Sequence, residues 1–331
     1  GVNAAKPMLT EEDLSKIELL VVGTESSVDQ ATPISTFIHR FLGIQPNCRV
    51  FETKHACYSG TCAVMTAAHW VASGVRPGAK ALVVTTDQSR MNLGERYEFV
   101  MGAAATAMLI SAEPKVVQYE LGTNAYWTKE VGDTFRPTSR AEAGNTDESL
   151  YCYLEALDGA YAHFKQRNNF DYHNTFAQHV YHVPFSAMSY RAHKALCREY
   201  GWKRAEMEAL CDKKVGPSLT YSRQCGGIYS SANFISLMGT LENAESLHPG
   251  DRISMYSYGS GSNSEFYSVR VCPEARETVA RARMRDKLAS RRLLTVEEYE
   301  AVERERTSYV DQASYVPRRD TVPGLWDSHY K

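Results

Sequence analysis

The chain has 331 residues, of which 43% are hydrophobic, so it is long enough to bury a sizeable core. Its formal net charge of -2 at pH 7 excludes the general basic excess that nucleic-acid and membrane-surface binding require. No apolar run reaches the roughly 18 residues that a membrane-spanning helix needs. We therefore expect a globular protein that binds neither nucleic acid nor membrane and meets any acidic partner through a local patch.

The eight cysteines are scattered along the chain without CxxC pairs. A secreted, disulfide-stabilised domain is usually short and rich in cysteine, so we expect free thiols in a reducing, cytoplasmic compartment. No cysteine and histidine spacing matches a standard zinc pattern, so we expect no metal.

Short apolar runs alternate with helical patterns over the first part of the chain, which is typical of an α/β layer fold. Strands are predicted at 17–24, 49–54, 79–86, 103–110 and 114–122, and helices at 33–42 and 58–72. A helix-rich stretch at 148–244, two strands around a glycine turn at 252–271 and a charged helical segment at 273–306 follow. No linker interrupts this order, so we expect one compact unit spanning 1–331.

A candidate nucleophile, Cys57, lies in HACYSGTC (55–62), where a predicted strand passes into a helix. The first amides of a helix lack intrahelical partners and stabilise an anion, so we expect this position to lower the pKa of the thiol. The alternative interpretation is a buried structural cysteine, because free cysteines are among the most buried residues.

Two other side chains have settings that suit a base or an acid. Glu25 follows the apolar run LLVVGT (19–24), where a buried carboxylate is costly unless it is used or paired. His182 lies in VYHVPF (180–185), just before a helical pattern. A helix-capping glutamate and a hydrogen-bonded core histidine are the alternatives. The turn in SYGSGSNSEF (257–266) either presents backbone amides to a ligand or is a plain hairpin.

Five motifs resemble, in order and spacing, those of the 3-hydroxy-3-methylglutaryl-CoA synthase family: VGTES (22–26), ACYSGT (56–61), HVPF (182–185), GGIYSS (226–231) and SYGSGSNSEF. The resemblance covers nearly the whole chain. It implies a thiolase-like layered αβαβα fold with two pseudo-repeated halves, roughly 1–120 and 121–331. The family also has an N-terminal strand and helix and a last strand that are not in this sequence, so we expect the intact chain to be longer.

The resemblance also implies roles for single residues. Cys57 is similar to the family's acetyl-accepting nucleophile, Glu25 to its general base and His182 to the residue that binds the acceptor substrate. The backbone amides of Cys57 and Ser260 would form the oxyanion hole. Tyr58 and Tyr229 resemble active-site tyrosines that contact substrate, and no metal, nucleotide or redox cofactor is implied.

Departures from the family pattern indicate substrates held on carrier proteins. Gly227 replaces an asparagine that in the family helps to hold the carbonyl of the acceptor. After HVPF, members that use coenzyme A resemble TKMGKK, whose lysines lie near the nucleotide phosphates, whereas this chain has SAMSYR (186–191). Only Arg191 keeps a charge there for a carrier or phosphopantetheine contact. The segments LTVEEYEAVERERTSYVDQ (294–312) and VPGLWDSHYK (322–331) resemble polyketide β-branching members.

The resemblance therefore implies an acyltransferase that condenses the acetyl group of acetyl-Cys57 with a β-ketoacyl thioester on an acyl carrier protein. The product is a 3-hydroxy-3-methylglutaryl-type chain, as in polyketide β-branching. Donor and acceptor carrier proteins and a homodimer are the implied partners. Alternatives are a primary-metabolic synthase using acetyl-CoA and acetoacetyl-CoA, a decarboxylating ketoacyl synthase and an inactive carrier-binding scaffold. The arginine-rich segment 274–292 is a candidate carrier-docking surface, with a solvated charged face as the alternative.

Overall fold

The computed structural model describes residues 1–89, 93–138, 142–310, 312 and 314. Its first part contains α1 (Val2–Ala5), α2 (Glu11–Lys16), β1 (Ile17–Gly23), α3 (Ile34–Leu42), β2 (Arg49–Thr53), α4 (Ser59–Ala72), β3 (Lys80–Gln88) and β4 (Ala103–Ile110). These strands form a sheet of order β2-β1-β3-β4, in which β1 is parallel to β2 and β3 while β4 is antiparallel to β3. The apolar run of β1 is buried along almost its whole length, as a central parallel strand requires.

The second part continues with short strands β5 (Val117–Tyr119), β6 (Ala125–Thr128), β7 (Thr134–Phe135) and β8 (Ala143–Gly144). It goes on through α5 (Thr146–Arg167), α6 (Tyr172–Thr175), β9 (Gln178–Tyr181), α7 (Ser186–Leu196), α8 (Arg204–Lys214), α9 (Leu219–Cys225), α10 (Ala232–Asn243), β10 (Arg252–Gly259) and β11 (Asn263–Val271). A second sheet has the order β5-β11-β10-β9, with β6 also paired to β11. Strand β9 is parallel to β10, and β10 and β11 form an antiparallel hairpin.

Two helices separate the two sheets. On α4, Val64 packs with the core of the first sheet and Met65 with the core of the second. On α10, Phe234 packs with the core of the first sheet and Leu237 with the core of the second. Helix α3 covers the outer face of the first sheet, and α5 and α7 cover the outer face of the second. The predicted layered αβαβα arrangement is confirmed.

Most predicted elements agree with the structure, and the exceptions have physical reasons. The strand expected at 114–122 is reduced to β5, because only its middle pairs with β11. Strand β9 was not expected inside the helix-rich stretch. All four of its residues are buried although two of them, Gln178 and His179, are polar, so the sequence shows neither an apolar run nor an alternation there.

The charged segment at 273–306 divides into α11 (Ala275–Ala280), α12 (Met284–Ala289) and α13 (Val296–Tyr309). The resemblance noted at 322–331 lies outside the described residues. Within the described part of the chain, no helix is both long and apolar enough to cross a membrane.

Candidate active site

Parallel pairing in the first sheet brings Glu25 and Cys57 together. Strands β1 and β2 lie side by side with Gly23 opposite Thr53, and both chains leave the sheet at the same edge. Glu25 follows β1 by two residues, and Cys57 lies in the turn before α4. The Sγ atom of Cys57 lies 3.5 Å from the Oε2 atom of Glu25, to which the thiol donates.

The second sheet supplies His182 and Ser260 by the same geometry. Strands β9 and β10 are parallel, with Tyr181 opposite Tyr256, so the residues that follow them emerge at one edge. The turn after β10 packs directly on the turn that carries Cys57. A Cβ atom added to Gly259 would lie 2.8 Å from the amide nitrogen of Tyr58, so only glycine permits this approach. Ser260 is therefore held next to the turn that carries the thiol.

The pKa of the Cys57 thiol is raised well above its ordinary value, not lowered. Burial of the thiol group is the main cause, and the carboxylates of Glu25 and Asp87 add to it. The prediction that the helix N-terminus lowers this pKa is therefore wrong. The helix N-terminus lowers the pKa of the thiol by less than the lost hydration and the neighbouring carboxylates raise it. Formation of the thiolate therefore needs a base that removes the proton of the thiol.

Glu25 is suited to be that base. Burial raises the pKa of its carboxyl to about 8, against the opposing effect of the Arg136 guanidinium. The cause lies in the apolar strand that Glu25 follows, because its carboxyl group loses hydration at the end of a buried run. A carboxylate with a pKa near the working pH is an effective proton acceptor, because it is both available and basic.

Asp87, which the sequence analysis missed, bonds to the segments that carry Glu25 and Tyr229 at this edge of the first sheet. One carboxylate oxygen accepts from the Thr24 hydroxyl and from the Glu25 amide, each at 2.9 Å. The other accepts from the amide of Ser230 at 3.1 Å and from its hydroxyl. Asp87 follows the apolar run of β3 as Glu25 follows that of β1, so the same sequence signal would have found it.

Arg136 and Glu142 are two further residues that the sequence analysis missed. The Nη2 atom of Arg136 lies 3.1 Å from the Oε1 atom of Glu25 and 3.0 Å from the Oε2 atom of Glu142. Both residues lie in or beside the short β7–β8 pair, far from Glu25 in the chain. No local pattern marks them, because their function depends on a contact made only in the folded protein.

His182 is buried and neutral near pH 7, because burial lowers its pKa to about 4. The Tyr153 hydroxyl donates to the His182 carbonyl oxygen at 2.9 Å, and the Asn233 side chain bonds to its ring. Among the described residues, its Nδ1 atom has no hydrogen-bond partner. One ring nitrogen is therefore available to a bound substrate.

The two tyrosines suggested by the family resemblance are both held by other side chains. The Tyr58 hydroxyl donates at 2.6 Å to Glu265 on β11, which also accepts from Asn124, so Tyr58 anchors the Cys57 turn to the second sheet. The Tyr229 hydroxyl donates to Glu142 at 3.3 Å, and its backbone has the uncommon φ of 47°. Such strain in a non-glycine residue is concentrated at functional sites.

Gly227 and Arg191 lie beside the His182 loop. A Cβ atom at Gly227 would lie 3.2 Å from the Pro184 carbonyl oxygen, so an asparagine there would push against this loop. Arg191 is exposed on α7, and its guanidinium lies 5.8 Å from the centre of the Phe185 ring.

The arginine-rich segment carries less free charge than its composition indicates. Arg281 pairs with Glu277, and Arg283 pairs with Asp286. Arg276 donates to carbonyl oxygens at the end of α10. These contacts favour the solvated charged face over a dedicated docking surface. Among the described residues, no group of three or more histidine, cysteine, aspartate or glutamate side chains could hold a metal ion.

Comparison with known proteins shows which family the sequence is similar to. The family model for the hydroxymethylglutaryl-coenzyme A synthase N terminal matches residues 6–115, and the model for the C terminal matches residues 202–330. The polyketide biosynthesis 3-hydroxy-3-methylglutaryl-ACP synthase PksG of Bacillus subtilis is 38% identical over 315 residues, covering 91% of this chain and 75% of PksG. The chain belongs to the hydroxymethylglutaryl-CoA synthase family. The family's synthase from Enterococcus faecalis is 32% identical over 306 residues, covering 91% of this chain and 77% of that protein.

Solved structures of synthases in this family have the same fold. The HMG synthase of the curacin biosynthetic pathway, in complex with acetyl donor-ACP, matches with a TM-score of 0.92 and 38% identity, covering 99% of this chain and 82% of that one. PksG from Bacillus subtilis matches with a TM-score of 0.92 and 36% identity over the same shares of the two chains. The predicted thiolase-like fold is confirmed.

Proposed function

We propose that this hydroxymethylglutaryl synthase condenses an acetyl group, carried on Cys57, with a β-ketoacyl thioester on an acyl carrier protein. The observation that carries the proposal is the contact between the Cys57 thiol and Glu25, a carboxyl group whose pKa of about 8 suits proton transfer. The product is a 3-hydroxy-3-methylglutaryl-type chain, as formed in polyketide β-branching.

The first step is transfer of the acetyl group to Cys57. Glu25 takes the thiol proton, and the thiolate attacks the carbonyl carbon of the acetyl thioester. The amides of Cys57 and Ser260 stabilise the tetrahedral oxyanion. Collapse breaks the bond to the donor sulfur, which leaves as a thiol after gaining a proton, and acetyl-Cys57 remains.

The second step forms the carbon–carbon bond. Glu25 removes a proton from the acetyl methyl group, and the resulting enolate adds to the β-ketone carbon of the acceptor. The alkoxide formed from the ketone oxygen takes one proton from water and becomes a hydroxyl, and Glu25 releases to water the proton that it removed from the methyl group, so the step is balanced. His182 is neutral, so its ring carries a single proton; we place this proton on the Nδ1 atom, which is free among the described residues and donates a hydrogen bond to that oxygen, and His182 does not act as a cationic acid. Water then hydrolyses the Cys57 thioester and releases the product.

Two observations support a carrier protein as the donor of the acetyl group. PksG is named an HMG-ACP synthase, and the curacin pathway synthase was solved in complex with acetyl donor-ACP. In addition, the helix after the His182 loop has the sequence SAMSYR and lacks the lysines of members that use coenzyme A. We propose that Arg191, exposed beside Phe185, contacts the phosphate of the phosphopantetheine arm.

Intact-mass spectrometry tests this proposal. The protein is incubated with acetyl-acyl carrier protein and, separately, with acetyl-CoA. We expect the mass of one acetyl group to be added from the carrier, more slowly from acetyl-CoA, and not at all in Cys57→Ala. Equal or faster labelling from acetyl-CoA would favour the primary-metabolic synthase, and no labelling from either donor would contradict the proposed activity.

Other parts of the proposal come from the resemblance alone. They are an acceptor carrier protein as second partner, a homodimer, division into two pseudo-repeated halves and a reaction that requires no resident metal or cofactor. A cytoplasmic location is proposed from the scattered cysteines without CxxC pairs.

A further inference from the structure

We propose that Arg136 is a positioning residue, which holds Glu25 so that one carboxylate oxygen faces the Cys57 thiol while the other is occupied. This inference rests on the proposed roles of Glu25 and Cys57. Among the described residues, Arg136 binds Glu25 and Glu142 and lies against the Tyr229 ring, so it acts on the proposed reaction through the base.

The guanidinium holds Glu25 at two points. Its Nη2 atom lies 3.1 Å from Oε1 of Glu25, and its Nη1 atom donates to the Glu25 backbone carbonyl at 3.2 Å. The remaining carboxylate oxygen, Oε2, is the one that accepts from the Cys57 thiol at 3.5 Å. Because one carboxylate oxygen is paired with the guanidinium and the backbone carbonyl is hydrogen-bonded to it, the carboxyl group cannot turn away from the sulfur without breaking the ion pair with Arg136.

Arg136 is itself held in place. Glu142 Oε2 accepts from the Nε atom of Arg136 at 3.2 Å and from its Nη2 atom at 3.0 Å. The guanidinium also lies 5.1 Å from the centre of the Tyr229 ring, within reach of a cation–π interaction. The side chains of Arg136, Glu25 and Glu142 are only 15%, 12% and 9% exposed. Lysine cannot replace this guanidinium, because its ammonium group has neither several donors in one plane nor a flat surface that packs on an aromatic ring.

The same segment also holds the turn that carries Ser260. Asp133, three residues before Arg136, accepts from the Gly261 amide at 2.9 Å and from the Tyr258 hydroxyl at 2.8 Å. The Val131 amide donates to the Gly261 carbonyl at 2.9 Å. Residues 131–136 therefore join the proposed oxyanion hole of the second sheet to the proposed base of the first.

The charges around Glu25 predict how its protonation responds to substitution. Among the described residues, the charged and titratable groups around it come from five elements: Cys57 before α4, Asp87 on β3, Arg136 after β7, Glu142 before β8 and Tyr229 before α10. Arg136 supplies positive charge, whereas Asp87 and Glu142 supply negative charge. Loss of Arg136 should favour the protonated base, and loss of the Glu142 charge should favour the ionised base.

The test is the pH dependence of Cys57 alkylation by iodoacetamide, followed on the Cys57 peptide by mass spectrometry, because it needs neither carrier nor acceptor. In Arg136→Met we expect the midpoint of the alkylation profile to rise by about 1–3 pH units, the effect of removing an opposite charge at this distance. In Glu142→Gln we expect the midpoint to fall. The matched control is Arg76→Met, which breaks an arginine–glutamate pair of 2.6 Å at the surface and should leave the midpoint unchanged.

A second readout separates positioning from charge. Arg136→Lys keeps the charge, so its midpoint should return to within about half a unit of the wild type, a small part of the shift that removing a charge causes. Its acetylation and condensation rates should stay well below those of the wild type, because the single ammonium group of lysine cannot bind both the Glu25 carboxylate and the Glu25 backbone carbonyl. If Arg136→Met does not fold, the downward shift in Glu142→Gln and the behaviour of Arg136→Lys decide the matter.

Unchanged midpoints in both Arg136→Met and Glu142→Gln, or full activity in Arg136→Lys, would overturn the inference. A wild-type protein that alkylates at Cys57 with the expected shifts among variants, yet accepts no acetyl group from any donor, would contradict the proposed function and leave the positioning role intact. The two failures are therefore distinguishable.

Discussion

Replacing Glu25 with glutamine should stabilise the protein at neutral and high pH and strongly slow its proposed condensation. The carboxyl group has a pKa of about 8 in the folded protein against an ordinary value of 4.5, with burial as the main cause. Between these pH values the folded state keeps a proton that the unfolded chain has released. The free energy of unfolding of the wild type therefore falls as pH rises through this window, and the whole cost is present above pH 8.

The size of this effect follows from the two pKa values. A shift of one unit corresponds to about 1.4 kcal/mol, so the buried charge costs about 5 kcal/mol at high pH. Glutamine has nearly the same shape and carries no charge. Arg136 loses one partner in Glu25→Gln but keeps Glu142. We therefore expect Glu25→Gln and the wild type to be about equally stable at pH 5, with the variant more stable by about 3–5 kcal/mol at pH 9.

Urea unfolding of both proteins at pH 5, 7 and 9 measures this difference. The matched control is Glu120→Gln, because Glu120 is paired with Arg252 and Arg270, which lower its pKa. That substitution should destabilise the protein at neutral and high pH. A Glu25→Gln stability difference that does not change with pH, or that has the opposite sign at pH 9, would refute the reasoning about the buried carboxyl.

The proposed activity of Glu25→Gln should fall although its stability rises. Glu25→Gln should still form some acetyl-Cys57 in the mass-spectrometric assay, but more slowly, because the thiol has lost its adjacent proton acceptor. Condensation should fall by about 10²- to 10⁴-fold, the usual contribution of a general base. A variant that condensed at the wild-type rate would show that another group is the base.

Three further predictions concern the surroundings of the site. Each carboxylate oxygen of Asp87 accepts from two donor groups, and Asp87→Asn replaces one of these oxygens with an NH₂ group that cannot accept. The substitution should lower the free energy of unfolding by about 1–3 kcal/mol for each group left unpaired, and it should slow condensation. A variant of unchanged urea midpoint would contradict this. Tyr58→Phe removes a donor from buried Glu265 and should cost about 1–3 kcal/mol in the same assay, and no loss would show that Tyr58 is not an anchor. His182 and His193 have pKa values lowered by burial to about 4 and about 3, so the unfolded chain binds protons first as pH falls below 6.5. Each histidine should lower the free energy of unfolding by about 2 kcal/mol between pH 7 and pH 5. Over that interval, the free energy of unfolding of His193→Gln should therefore fall by about 2 kcal/mol less than that of the wild type. An equal fall in both proteins would show that His193 does not contribute to this pH dependence.

The sequence was sufficient to place the elements that carry Glu25 and Cys57. β1 and α4 are predicted within one or two residues, because their apolar runs and the change of pattern between them are local signals. The same reasoning located Glu25 and Cys57 at the ends of adjacent elements. It did not reveal β9, because this strand forms only through pairing with β10. Its two polar side chains bond to distant residues: His179 to Ser254 on β10 and Gln178 to the Lys213 carbonyl on α8.

The sequence by itself determined which chemical groups are available and where the chain turns, because both depend on neighbouring residues. Only the tertiary structure decided their protonation and orientation. The pKa of Cys57 rises instead of falling because the thiol is buried against carboxylates from distant parts of the chain. Arg136 reaches Glu25 across 111 residues of sequence. Desolvation and Coulomb interaction act through space, so no local pattern reports them before the chain has folded.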